Sequence, residues 1–221
     1  YGIDRQKLIN AIAKGEGSPW YLSFWLGHES RAEQFGLDKL KWDFDPARAK
    51  ELLKEAGYPD GVTIKMALVP ECAGCIDNAQ AVAGMWEDVG ILTEQREWTH
   101  GAWRTLRVAR TADSVWPNDD GMSVSPLRGY QGFWFSGSSY NHGWEHPDFE
   151  AITRRAQSTF DNEEHWAVLA ELARWNFDQV MHLPLYQQNS VWPISAKLDP
   201  WAPMVGGFNL LSNWEYAPHR Q

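Results

Sequence analysis

Two groupings in this 221-residue chain have residue types and spacings that can do chemistry. His142, Glu145 and His146 match the pattern H-x-x-E-H, in which two imidazoles one helical turn apart hold zinc and the carboxylate serves as general base. That chemistry needs both histidines on one face of a continuous helix. Gly143 within the run and Pro147 directly after it predict instead that a helix begins at Pro147 and runs through Phe149 and Ile152. A zinc-dependent hydrolase using His142, Glu145 and His146 is therefore the alternative reading. Cys72 and Cys75, the two cysteines, have the C-x-x-C spacing. A thioredoxin-like motif would open a helix after a strand, and a structural zinc would need a second pair of ligands that the chain does not supply. No Ser, His and Asp set lies in a nucleophile-elbow context, no Gly-rich phosphate loop is present and no carboxylate pair stands out. The residues point away from an enzyme and imply neither cofactor nor metal.

The elements that would position any site centre on Phe44 to Trp98, which reads as helix, strand, helix, strand. Asp45 caps the first helix, Pro46 occupies its first position, and Ala49, Leu52, Leu53 and Ala56 form an apolar stripe. Gly57 and Pro59 end it. Val62, Ile64, Met66 and Leu68 then alternate with Thr63, Lys65 and Ala67, the period of a strand over 62–69. Val82, Met85, Trp86 and Val89 predict a helix over 78–89, closed by Gly90, and 91–97 is extended. Two strands joined by a crossover helix form a right-handed parallel unit, the working edge of an α/β lobe.

Around this unit the spacing predicts helices over 4–13, 148–158 and 162–181, the last with Trp166, Leu169, Ala173, Phe177 and Val180 on one stripe. Thr99 caps a further helix with Trp103, Leu106 and Ala109 inward and Arg104, Arg107 and Arg110 outward. Residues 18–42 are aromatic and irregular and read as a loop packed over the lobe. WPNDDG is a turn signal, with a short strand leaving it over Met122 to Val124.

A net charge of -9, spread along the chain, argues against a nucleic-acid partner or an anionic membrane surface. No apolar run is long enough to cross a bilayer as a helix. Fourteen Trp is the most unusual count. Most are expected to fill cores, and two or three to line a cleft.

The blocks DPARAKELLKEAGYPDGVTIKM, AQAVAGMWEDVGI and REW resemble the extracytoplasmic solute-binding proteins of ABC importers, in the peptide and nickel class called family 5. YGIDRQKLINAIAKGEGSP near the start and HPDFEAITRRAQSTFDNEEHWAVLAELARWNFDQVMHLPLYQQNSVW later extend the resemblance over nearly the whole chain. It implies one lobe of a type II periplasmic-binding-protein-like fold, an α/β lobe with a mixed sheet flanked by helices. Residues 1–198 would be the C-terminal lobe, and 199–221 a tail packing on the N-terminal lobe of the same protein. It also implies a periplasmic location, ABC permease subunits as partners, and a peptide or other small organic solute as ligand. In an oxidising compartment a local disulfide between Cys72 and Cys75 is the natural outcome.

The family pattern further implies a ligand wall of Trp98, the Trp after the second strand, with Met122, Ser123 and Ser125 beyond the turn. Gly121 and Met122 align with the family's Gly-Trp, which puts Ser125 where peptide-binding members carry an Asp that anchors the ligand's amino group. A neutral hydroxyl cannot pair an ammonium as a carboxylate does, so opines, oligosaccharides and other small organics stay open beside peptides. No cluster of ligands supports nickel.

Overall fold

Two glycines fix where the central strands meet. In the computed structural model, which describes residues 1–25, 27–119, 125–138 and 145–189, Gly61 and Gly90 both have φ in the left-handed region, at 93° and 97°. They pass so closely that a methyl group on Gly61 would collide with the Gly90 carbonyl oxygen. The Val62 N–H donates to that same oxygen at 3.0 Å. From this start β2 (Val62–Leu68) and β3 (Ile91–Glu97) run parallel in unbroken register, from Val62 opposite Ile91 to Leu68 opposite Glu97. The helix that connects them, α4 (Cys75–Glu87), begins three residues earlier than its apolar stripe alone predicts. Val115 adds a third parallel position beside β2, exchanging backbone hydrogen bonds with Lys65 and Ala67 at 3.0 and 2.8 Å.

The remaining elements, in chain order, are α1 (Arg5–Ala11), β1 (Gly17–Pro19), α2 (Glu29–Gln34), a 3-10 turn (Leu37–Lys39), α3 (Pro46–Glu55), α5 (His100–Val108), α6 (Pro126–Trp134), α7 (Pro147–Ser158), α8 (Asn162–Asp178) and β4 (Tyr186–Gln188). Asp4, Asp45 and Asp161 cap α1, α3 and α8, each accepting at 2.9 Å from the backbone N–H three residues on. The expected parallel pair is present. Among the described residues the antiparallel pairing lies apart from it in a second two-stranded sheet, where β1 pairs with β4, Gly17 opposite Gln188. The extended run after Tyr186 therefore returns to the beginning of the chain.

Two larger apolar cores and one smaller cluster of Ala67, Val69 and Trp103 result among the described residues. In the first, Ile64, Met66 and Leu68 of β2 pack on Ala79, Val82, Ala83 and Trp86 of α4, with Ile3 and Leu8 at the start of the chain. In the second, α6, α7 and α8 close around Trp25, Leu37, Tyr130, Phe149, Leu169 and Leu172, all at most 1% exposed. The aromatic stretch 18–42 is thus more than a covering loop, since it contributes β1, α2 and the 3-10 turn and drives Phe24 and Trp25 into this core. Phe24 takes a left-handed φ of 64° and its ring fills the space over Gly129 that a methyl would occupy. α8 stops at Asp178. Val180, expected on its stripe, has φ 51° and is exposed.

Arg5 links these parts. It is 5% exposed, its Nε donates to the Pro184 carbonyl at 2.9 Å, and its guanidinium lies 4.7 Å from the Tyr21 ring and 5.8 Å from Trp42. Trp42 in turn stacks face to face on Phe177 of α8 at 4.0 Å.

His182 gives the fold an acid sensitivity. Its Nδ1 lies 3.0 Å from the Ser23 hydroxyl, and the rings of Phe24, Phe133 and Trp134 enclose it at 5.3, 5.7 and 4.7 Å. Burial lowers its pKa from 6.5 to about 3. The unfolded chain binds a proton below 6.5 that the folded one refuses, so stability is full above that pH and falls as pH drops toward 3. Because the residue keeps part of its surface in solvent, the loss is on the order of 2 kcal/mol. Urea unfolding of wild type and His182→Gln at pH 7 and pH 4.5 should show the wild type losing more on acidification. Equal losses would contradict this.

Candidate functional site

Parallel pairing puts the carboxyl ends of β2 and β3 at one edge, the place where open α/β sheets bind their ligands. β2 runs out into Val69, Pro70 and Glu71; β3 runs out into Trp98, whose N–H donates to the Leu68 carbonyl at 3.0 Å. The Thr99 hydroxyl accepts from the Ala102 N–H at 3.3 Å and starts α5 directly after the strand. α5 then lays Trp103, fully buried, onto Ala67 and Val69. Trp98, Trp103 and Trp116 form a row of rings with centroids 5.9 and 5.5 Å apart.

A charged network closes the lower side of this row. One oxygen of Glu71 accepts from Arg107 Nη1 at 3.4 Å and the other meets His100 Nε2 at 3.0 Å. The Arg107 guanidinium lies 5.4 Å from the Trp116 ring. The side chains of Arg107 and Glu71 are 4% and 9% exposed, so water screens their attraction little. This corrects the expectation that Arg107 points outward. It sits four residues after Trp103 and shares its face of α5, a spacing from which the burial could have been read.

The turn carrying Glu71 is tightly held. Its N–H donates to the Val69 carbonyl at 2.9 Å, and the next residue, Cys72, is disulfide-bonded to Cys75 with Cα atoms 5.2 Å apart. Cys75 opens α4 after β2, the context a thioredoxin-like motif needs, but it is only 2% exposed, whereas reactive cysteines lie at accessible positions.

Of the other expected site residues, Ser125 is extended and immediately precedes α6, its carbonyl accepting from the Arg128 N–H at 3.1 Å. Trp98 thus belongs to the end of β3 and Ser125 to the start of α6. Met122 and Ser123 lie outside the described residues, as do the strand expected over Met122 to Val124, His142 and the tail 199–221. The described part of H-x-x-E-H does not form a zinc motif. Glu145 is ion-paired with Arg110, and His146 precedes α7 as its N-cap, Nδ1 accepting from the Asp148 N–H at 3.2 Å. Among the described residues no group of three His, Cys, Asp or Glu is placed to hold a metal ion. An open groove of about 570 Å³ along β3 and α4, lined by Thr63, Gln80, Glu87 and Gln95, flanks the sheet away from the row of indoles.

Comparison with known proteins agrees with this architecture. Residues 1–141 match the family described as bacterial extracellular solute-binding proteins, family 5 Middle. Heme-binding protein A of Haemophilus influenzae is 22% identical over 95% of this chain and 39% of its own length. The dipeptide-binding protein of Pseudomonas aeruginosa is 24% identical over 94% of this chain and 38% of its own. The glutathione-binding protein GsiB of Salmonella typhimurium is 39% identical over a shorter stretch, 28% of this chain and 11% of its own length. The chain therefore spans well under half the length of these relatives. Among solved structures, the periplasmic binding protein DppA of Helicobacter pylori in complex with peptide STSA superimposes with a TM-score of 0.68 at 17% identity, over 84% of this chain and 36% of that one. A mannohexaose-bound oligopeptide-binding protein of Thermotoga maritima gives 0.68 at 16% identity, over 87% and 40%. At these identities the superpositions show the fold.

Removing the Glu71 carboxylate takes an ion-pair partner from a buried guanidinium. Glu71→Ala should therefore cost about 3–5 kcal/mol, and Glu71→Gln, which keeps an acceptor, less. Urea unfolding measures both, and a loss below about 0.5 kcal/mol in the alanine variant would mean the pair carries no weight. Reducing the Cys72–Cys75 bond, which closes a very short loop, should lower Tm only slightly. A collapse of the fold on adding reductant would contradict this.

Proposed function

The chain belongs to the bacterial extracellular solute-binding proteins, family 5, and we propose that it forms the C-terminal lobe of the substrate-binding component of an ABC importer. The observation that carries this reading is the row of Trp98, Trp103 and Trp116 at the carboxyl ends of the parallel strands. In this reading the row is one wall of a cleft whose other wall is the N-terminal lobe, and the protein closes on a peptide or other small organic solute before delivering it to the membrane permease. It acts outside the inner membrane as a binding protein and not as an enzyme. Trp98 supplies a flat amphipathic surface, and Met122, Ser123 and Ser125 complete this lobe's share of the contacts.

Relatives and neighbours whose names include heme, glutathione, dipeptide and mannohexaose support a small organic ligand without choosing one. The flat ring faces of such a wall accept solutes of many shapes.

A cleft shared by two lobes leaves half of a ligand's surface in water when one lobe is absent, which forfeits much of the burial that gives affinity. Calorimetry with a library of peptides and small organics should find a ligand for the full-length protein. The 221-residue chain alone should bind it weakly or not at all. Tight binding by the chain alone would place the whole site within this lobe and overturn the shared cleft.

A further inference from the structure

The indole row ends at an arginine. The Arg96 guanidinium lies 4.1 Å from the centroid of the Trp98 ring, closer than the Arg107 guanidinium lies to Trp116. Side chains at 92, 94, 96 and 98 share one face of β3, so Arg96 and Trp98 stand on the same side as Trp103. Arg96 is exposed, and among the described residues it makes no ion pair.

Three other cations near this edge are already paired. Arg107 is paired with Glu71, Lys65 with Asp113 at 2.5 Å, and Arg110 with Glu145. Glu94 is on the same face but stands opposite Lys65 in the strand register, and Glu97 points to the other face. Arg96 alone of these four cations makes no ion pair among the described residues. A guanidinium stacked on an indole uses its flat face for packing and leaves its edge of N–H donors open, the geometry that receives a carboxylate with two parallel hydrogen bonds.

We propose that Arg96, stacked on Trp98, is the specificity-determining residue that receives a carboxylate of the ligand, making the protein selective for acidic solutes. This rests on the reading of the indole row as a cleft wall. Packing against Trp98 restricts the arginine before the ligand arrives, so less side-chain freedom is lost on binding. Arg96 holds the solute and takes no part in covalent chemistry.

The test is calorimetry on the full-length protein with matched acid and amide pairs: Gly-Glu with Gly-Gln, Ala-Ala with Ala-Ala-amide, and succinate with succinamide. The acid of a bound pair should be preferred by roughly ten- to a hundredfold at low salt, the size of a charge-assisted hydrogen-bonded contact. Arg96→Gln should abolish that preference while leaving the amide's affinity within about twofold, and Arg96→Lys should keep part of it. Because Arg96 is exposed, the variants should match wild type in Tm. Binding of amides as tightly as acids, or equal losses for both in Arg96→Gln, would overturn the acidic preference and leave the binding-protein reading standing. If none of the pairs bound but neutral or cationic solutes from the wider library did, the acidic preference would fall alone. No binding by any solute would overturn both.

Discussion

The close passage of Gly61 under the Gly90 carbonyl is the constraint on which the site depends. A side chain at Gly61 would push the two strands apart at their first pair, and every later pair inherits its alignment from that one. With the register held, Leu68 ends β2 level with Glu97 at the end of β3. The two exits therefore emerge side by side, so Glu71 on one reaches His100 and Arg107 beyond the other. A slip of one residue would turn Ile64, Met66 and Leu68 away from α4 and separate Glu71 from its partners together.

Much of this was legible from local pattern. Period-two alternation over 62–68, the glycine stops, and the Asp and Pro starts of α1, α3, α7 and α8 each arise within one turn or one strand, where sequence neighbours are also neighbours in space. The parallel pairing of β2 and β3 followed from the helix between them. What escaped depends on distant partners. α6 begins with Pro126 but carries Gly129 and Gly132, and its stability comes from Tyr130 and Trp134 packing into the second core and not from propensity. α2 is six residues long and anchors through Arg31 to Glu163, far along the chain. The ion pair of Glu71 and Arg107 joins a turn to a helix 36 residues on, and only the i, i+4 relation of Trp103 and Arg107 hints at it.

The abundance of tryptophan divides along the same line. Trp25, Trp86, Trp103 and Trp134 are buried and fill cores, whereas Trp98 and Trp116 keep part of their surface at the edge of the strands. Trp103 serves both ends of this division. It is a core residue by burial, yet it fixes the tilt of the two rings beside it. Rings held by such packing have less side-chain freedom left to lose than rings in solvent.

The bond from Arg5 to the Pro184 carbonyl joins residues 179 apart, and β1 and β4 pair over nearly the same interval. Topologically the described chain is a loop whose ends are stitched together beside α1. The parallel unit can assemble from neighbours within some 40 residues and needs nothing from the far end. The stitch cannot close until residues 184–188 have been made and brought back, although the entropy of closing so long a loop grows only with the logarithm of its length. During synthesis from the N-terminus, the strand at Gly17–Pro19 must therefore wait for β4, and the Arg5 Nε for the Pro184 carbonyl.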